Sequence, residues 1–391
     1  MDQPKYTTLV ETLKSVPDPR HARGQRYSWL LLLTLIAAAL ASGQKTIHAI
    51  ADWVKLHAVD LRESLQPTQG RLPSEATFYR TLRAIDLAAL EAHLSAFAEP
   101  LATASAEDAA ITTLEGQVLH GQALDGKEVR GSQAHGQPLT LVSLVQHSTG
   151  ITLAQVETDT KSNEIPAATQ LLAGRDLTNT VTTADALHTQ RHLAQQILDQ
   201  HGHYLMVVKE NQRELYHAIA LLFDQPPWLK QEQSKEYQVY PSGNKGHGRR
   251  EKRRLESSPA LCAYLDWPGV GQVMRRRCER RFAKTRQINR KLRYGITSLR
   301  PQEAGAEQLE LLWRRHWTIE NRDHYVRDVT MGEDACQVHT GHAAHALAAL
   351  RNALLSLLRW KGWTNIAAAI RHYAASVPRS LELIGAIPPR L

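Results

Sequence analysis

Cysteine is scarce. The three in 391 residues, Cys262, Cys278 and Cys336, are far apart and odd in number, which argues against a disulfide framework and for a reducing compartment. Long hydrophobic runs are missing too. The longest, Trp29–Ala41 (WLLLLTLIAAALA), falls short of the roughly 20 residues needed to span a bilayer, so no membrane association is expected. It reads instead as a buried helix ended by Ser42-Gly43. The N-terminal MDQPKYTTLVETLKSVPDPR has acidic residues and no apolar stretch, so a secretory signal is not expected and the cytoplasm is. No Gly-x-Gly-x-x-Gly or Gly-x4-Gly-Lys-Ser/Thr motif occurs, which leaves no case for a nucleotide cofactor. Cys336-x2-His339-x2-His342 lacks a fourth ligand and a paired Cys-x-x-Cys, so zinc is not expected there. With 42% apolar and 22% charged residues and no internal repeat, the chain is globular, with about two or three domains.

Charge is abundant but unevenly placed. The net charge is +8, yet the segment from Lys235 to Arg300 alone holds 18 Lys and Arg against 5 Asp and Glu. The rest of the chain is therefore net acidic. A solvated basic face is the bland explanation of a charge run, but a segment more positive than the whole protein favours a nucleic-acid surface. Arg249, Arg250, Arg253 and Arg254 are its densest cluster and the candidate phosphate contacts.

Hydrophobic periodicity divides the chain. Residues 1–105 read as a helical unit, broken by Pro17-Asp18-Pro19 and by QPTQGRLPSE, with Ser74 opening a later helix. From about residue 117 strands take over. VLHGQALDG ends at Asp125; PLTLVSLVQHSTG and ITLAQVETDT pair through a Ser-Thr-Gly turn. Helices and strands then alternate: SNEIPAATQLLAG (capped by Ser162), NTVTTADA, HTQRHLAQQILDQ, HYLMVVKE and NQRELYHAIALLF. The pattern predicts a mixed α/β sheet with helices on its faces over 106–225. Residues 226–300 read as a β-rich basic insertion, and 301–391 return to helix.

Within that last part, Trp313–Gln337 (WRRHWTIENRDHYVRDVTMGEDACQ) reads as a single helix. At 100° per residue, His316, Glu320, Asp323, His324 and Arg327 fall within an arc of roughly 100°. Leu312, Ile319 and Val326 form an apolar flank. Asp125 and Asp185 both end predicted strands, where ligands and catalytic groups gather; either one alone is more often a turn cap. Together with Glu320 they make three carboxylates, the hard oxygen donors that Mg²⁺ or Mn²⁺ requires. Asp328, Glu333 and Asp334 are rival carboxylates, with Asp328 about 80° around the helix from Glu320. His188 could face the same site, although a lone histidine near a strand end is more often structural. Lys209, Asn211 and Gln212 could rim it on phosphate or simply cap a helix. Trp267 could stack on an unpaired base but, as most tryptophans do, could equally sit in the core.

These segments carry a resemblance. ALDGKEVRGS, DALHTQ, VVKENQ, NKGHGRREKRR, YGITSL, RHWTIEN with HYVRDVTMGEDA, and RTLRAID resemble, in order over nearly the whole chain, a DDE-type insertion-sequence transposase of the H-repeat-associated (ISAs-one) group. The resemblance implies a ribonuclease-H-like catalytic core and DNA cleavage and strand transfer at element ends. It implies a catalytic triad of Asp125, Asp185 and Glu320 holding two Mg²⁺ or Mn²⁺ ions. Lys209, His316, Arg327 and the basic insertion would grip double-stranded DNA, both terminal repeats and target. Two DNA ends imply a homodimer in the complex, and DNA binding implies association with the nucleoid. The chain departs from the superfamily signature Tyr-x2-Arg-x3-Glu-x6-Lys, whose positions hold Trp313, His316, Glu320 and Arg327 here. The group it resembles also has His at the second position, and Arg327 keeps the cation. Two other readings stay open: a DNA-binding derivative whose chemistry is unused, and a ribonuclease-H-like nuclease acting on another nucleic acid.

Overall fold

The computed structural model describes residues 7–23, 25–104, 111–132, 139–158, 164–225, 237–246 and 248–389. Ser162 lies outside them. The helices α1 (Leu9–Lys14), α2 (Trp29–Ala41), α3 (Ile47–Leu56), α4 (Ala58–Leu65), α5 (Glu75–Ala84) and α6 (Leu87–Ala104) come first. There follow β1 (Ile111–Thr112), β2 (Val118–Val129), β3 (Leu139–Gln146), β4 (Thr152–Glu157), α7 (Glu164–Leu172), β5 (Thr180–Ala184), α8 (Arg191–Asp199), β6 (His203–Val208) and α9 (Arg213–Asp224). Four long strands come next: β7 (Gln238–Gly246), β8 (Arg249–Ser258), β9 (Gln272–Phe282) and β10 (Ile288–Thr297). After α10 (Ala306–Arg315) the chain runs through α11 (Ala343–Trp360), α12 (Ile366–Ala374) and α13 (Val377–Ile384). No helix of the described residues is long and apolar enough to cross a membrane.

The chain folds into two compact units, each discontinuous in sequence. The first comprises Met1–Glu107, Gly126–Asn163 and Ile319–Leu391; the second comprises Asp108–Asp125 and Glu164–Thr318. In the first, α2 forms as the apolar run demands. Ser28 caps it, its Oγ accepting from Leu31 N at 3.2 Å, and the chain leaves at Gly43 with a φ of +84° that favours glycine. Buried almost all round, α2 shares one core with the inner faces of α6, α11 and α13. The β3–β4 hairpin belongs to this unit, paired antiparallel.

In the second unit the strands run in the order β2-β5-β6-β10-β9-β8-β7. β2, β5 and β6 are parallel neighbours, whereas β10 and the strands beyond it are antiparallel. The mixed α/β class expected from the sequence is therefore what the chain adopts. The basic strands are less an appendage than an extension: the end of β10, Tyr294–Thr297, pairs with β6, so the sheet continues into them. Gly295 of β10 admits the indole of Trp313 from α10; a Cβ there would lie 2.6 Å from the ring. That contact links the YGITSL and RHW segments.

Candidate active site

In the second unit, the parallel register sets Leu124 of β2 opposite Ala184 of β5. The next residue on each is an aspartate, both half-buried: Asp185 follows the end of β5, whereas Asp125, expected to end its strand, lies inside β2, which runs on to Val129. The loop after Asp185 is held tightly. Asp185 Oδ1 accepts from Leu187 N at 2.9 Å and His188 N at 3.3 Å, the geometry of an Asx turn. Thr189 Oγ1 lies 2.6 Å from Val207 O on β6. Asn211 Nδ2 donates to Ala186 O at 2.7 Å, and Gln212 Nε2 donates to Thr189 O at 2.9 Å. Asn211 and Gln212 thus clamp the aspartate's loop instead of reaching outward, while Lys209 is exposed. His188 is completely buried. One of its ring nitrogens and one oxygen of each aspartate lie within 4.8 Å of one another, a group that could hold a metal ion. His316 meets the middle of β5, its Nδ1 3.1 Å from Thr183 Oγ1. Because Thr183 donates to Gln122 O at 3.1 Å, the imidazole N–H is the donor in that pair.

Glu320 lies in the first unit. The expectation of one helix over Trp313–Gln337 is corrected here: the α-helix ends at Arg315, and Ile319–His324 and Val326–Thr330 are π-helical. The wider turn voids the 100° arithmetic beyond residue 318, and π turns are frequent at functional sites. Glu320 is half-exposed, its Oε2 3.3 Å from His324 Nδ1. That hydrogen bond, aided by the charge of His324 and Lys127, holds the carboxyl below its ordinary range against the opposing effect of burial.

Beneath the π turns lies a buried charge network. Arg327 has no exposed surface. Its Nη2 donates to Glu333 at 2.8 Å, its Nε to the same carboxylate at 3.1 Å, and its Nη1 to Asp323 at 3.4 Å. The expected DNA contact by Arg327 is therefore withdrawn: the guanidinium is spent on internal carboxylates. Burial alone would depress its pKa, but Glu333 and Asp323 outweigh it and raise the value above the ordinary one. Lys127, also buried, reaches Asp328 at 2.5 Å, Asp334 at 3.5 Å and Glu333 at 3.6 Å. The rival carboxylates Asp328, Glu333 and Asp334 are thus occupied by this lysine. Gly131 lets the strand end press on this segment, since a Cβ there would overlap the carbonyls of Glu333 and Cys336.

The basic strands alternate. On β8, Arg250, Lys252 and Arg254 are exposed, whereas Glu251, Arg253 and Leu255 are buried. The cross-strand partners of the exposed trio are Arg281, Glu279 and Arg277 on β9, so one face carries a band of cations. Several other basic residues of these strands are internal. Arg253 is 9% exposed and paired with Glu251; its assignment to DNA is corrected, because a strand's period of two points it inward. Arg249 is half-buried, its Nε 2.8 Å from Glu251. Arg275 and Arg276 pair with Glu256 and Glu310 at 2.8 and 2.7 Å. Trp267 is buried at 8% exposure, a core position and not a stacking platform.

Residues 118–358 match the family described as Transposase DDE domain, and residues 10–98 match the DDE_Tnp_1-associated family. The chain is a DDE transposase. Members of that family catalyse DNA cleavage and strand transfer. Among relatives, the "H repeat-associated putative transposase YhhI" of Escherichia coli (strain K12) is 26% identical over 357 residues, 90% of each chain. The "Putative transposase YncI" of Escherichia coli O157:H7 is 29% identical over 361 residues, covering 90% of this chain and 87% of its own. A piggyBac transposase in a synaptic complex with hairpin DNA aligns over 96% of this chain and 78% of its own, with a TM-score of 0.46 and 9% identity.

The sequence missed several residues that shape this transposase. Lys127 follows Asp125 by two positions, yet a single cation gives no sign that it will be buried. His324 was visible on the charged face, but its hydrogen bond to Glu320 depends on the π turn.

Proposed function

We propose that Asp125, Asp185 and Glu320 are the catalytic carboxylates of this transposase, acting on the terminal repeats of an insertion sequence and on target DNA. The observation that carries the reading is the β2–β5 register, which brings Asp125 of β2 beside Asp185 at the end of β5. Glu320 falls inside the matched transposase domain and stays ionised through its bond to His324. The donor set fits a hard divalent cation, and the buried imidazole beside the aspartates adds a further polar atom to that end of the sheet. Two Mg²⁺ or Mn²⁺ ions held by these carboxylates would activate a water or a 3′-hydroxyl and neutralise charge on the leaving oxygen.

The chain's own residues do the rest. The Asx turn and the Asn211 and Gln212 side chains fix the carboxylate of Asp185 before substrate arrives. Lys209, Arg250 and Arg254 are the exposed cations offered to phosphates, with Arg249 and His316 as partly buried contacts. The helical residues 1–105 bind element ends or the partner copy in a homodimer assembled on DNA, at the nucleoid. Asp185→Ala and Glu320→Gln are expected to abolish cleavage of the element's own ends with Mg²⁺, with DNA binding largely retained. Nicking at the wild-type rate by either variant overturns the triad.

A further inference from the structure

His188 is set apart from the other histidines of the second unit by having no solvent contact at all. Its Nε2 sits 3.2 Å from Glu164 Oε2 without hydrogen-bond geometry, and its Nδ1 makes no hydrogen bond among the described residues. Leaving such a group dry and unpaired costs about 1–3 kcal/mol, so a buried imidazole in this condition calls for a ligand. Two facts say which. One ring nitrogen, one oxygen of Asp125 and one of Asp185 lie within 4.8 Å of one another, near the separation of up to about 4.4 Å that donors with bonds of about 2.0–2.2 Å keep around one metal ion. Nε2 also faces a carboxylate, that of Glu164 at the start of α7. A histidine that binds a metal commonly turns its second nitrogen to a carboxylate, which fixes the tautomer and raises the basicity of the ligating nitrogen. Glu164 occupies that position, and the lone pair then falls on Nδ1.

We propose that His188 is a nitrogen ligand of the metal held by Asp125 and Asp185, and that Glu164 is its positioning residue. The inference rests on the reading of the two aspartates as metal ligands. It has a consequence that oxygen donors alone would not have. An imidazole suits borderline transition ions, whereas Mg²⁺ is content with carboxylates and water. The site therefore favours Mn²⁺ over Mg²⁺.

The test is pulsed electron paramagnetic resonance on the untagged full chain loaded with one equivalent of Mn²⁺, beside Mn²⁺ and Mg²⁺ titrations by calorimetry. The wild type is expected to show the ¹⁴N coupling of a directly bound imidazole. His188→Gln loses that coupling and much of the Mn²⁺ over Mg²⁺ preference. Glu164→Gln keeps the coupling while Mn²⁺ binds about 10- to 100-fold more weakly, the usual effect of removing such a supporting carboxylate. If Mn²⁺ binds the wild type in a manner abolished by Asp185→Asn but without ¹⁴N coupling, His188 is not a ligand and the aspartate reading survives. A coupling that persists in His188→Gln belongs to another histidine and equally overturns the proposal. Mn²⁺ binding that is unaffected by Asp185→Asn removes both the inference and the reading beneath it. Because the wild-type spectrum decides the first point, poor folding of a variant does not shield the proposal.

Discussion

Arg327 carries five guanidinium N–H donors into a place with no water, and Glu333 takes two of them in the fork geometry that lysine cannot copy. Its charge is matched by carboxylates that are themselves buried: Glu333 is held below its ordinary pKa, against the upward push of burial, by Arg327, Arg351 and Lys127. Removing one partner of such a pair strands the others, which costs about 3–5 kcal/mol. Arg327→Ala is therefore expected to lower the unfolding free energy by that amount, read from urea denaturation, and Arg327→Lys to recover only part of it. Were Arg327 a DNA contact, the alanine variant would unfold like the wild type and bind DNA less well. Asp328 differs from its neighbours in the same network. Burial raises its pKa, and the nearby charges of Asp334 and Glu333 add to this, against the pull of Lys127.

At the scale of elements, His345 of α11 is a staple. Its Nε2 lies 2.8 Å from Glu91 on α6 and its Nδ1 3.0 Å from Glu157 on β4. Both nitrogens face carboxylates, so both must donate and the ring must be cationic. Burial opposes the charge, but the two hydrogen-bonded carboxylates prevail and push the pKa up to about 9. A folded-state pKa raised above the unfolded value of 6.5 means that stability from this group is fully present below pH 6.5. It is lost as pH rises through 9, by an amount on the order of 3 kcal/mol. The melting temperature of the wild type should fall between pH 7 and 10 by more than that of His345→Gln. Equal slopes would remove the staple. The helices and strands around it were legible because each carries an apolar face of the right period. The π turns were not, because pattern arithmetic assumes 3.6 residues per turn and gives the wrong neighbours once the turn widens.

Over the whole molecule, Asp185 could be read as a strand-end residue because strand ends are local signals, whereas the strand carrying Asp125 runs on to Val129. The adjacency of the two could not be read, since it depends on a parallel register between segments 60 positions apart in sequence. Charge tells the same story in reverse. The sequence located the positive excess but treated the strand arginines alike, whereas the sheet splits them. Arg253, Arg275 and Arg276 neutralise internal Glu251, Glu256 and Glu310. Arg250, Lys252 and Arg254 remain exposed on one face. Only the exposed set can release counterions from DNA. Each phosphate contact contributes about 0.9 to the slope of log K against log salt concentration. Replacing Arg250, Lys252 and Arg254 together by alanine is expected to lower that slope by about 2 to 3 with little change in stability. Arg276→Met, which strands the buried Glu310, should instead cost stability and leave the slope intact. If the triple variant keeps the wild-type salt dependence, this face of the sheet does not carry the DNA.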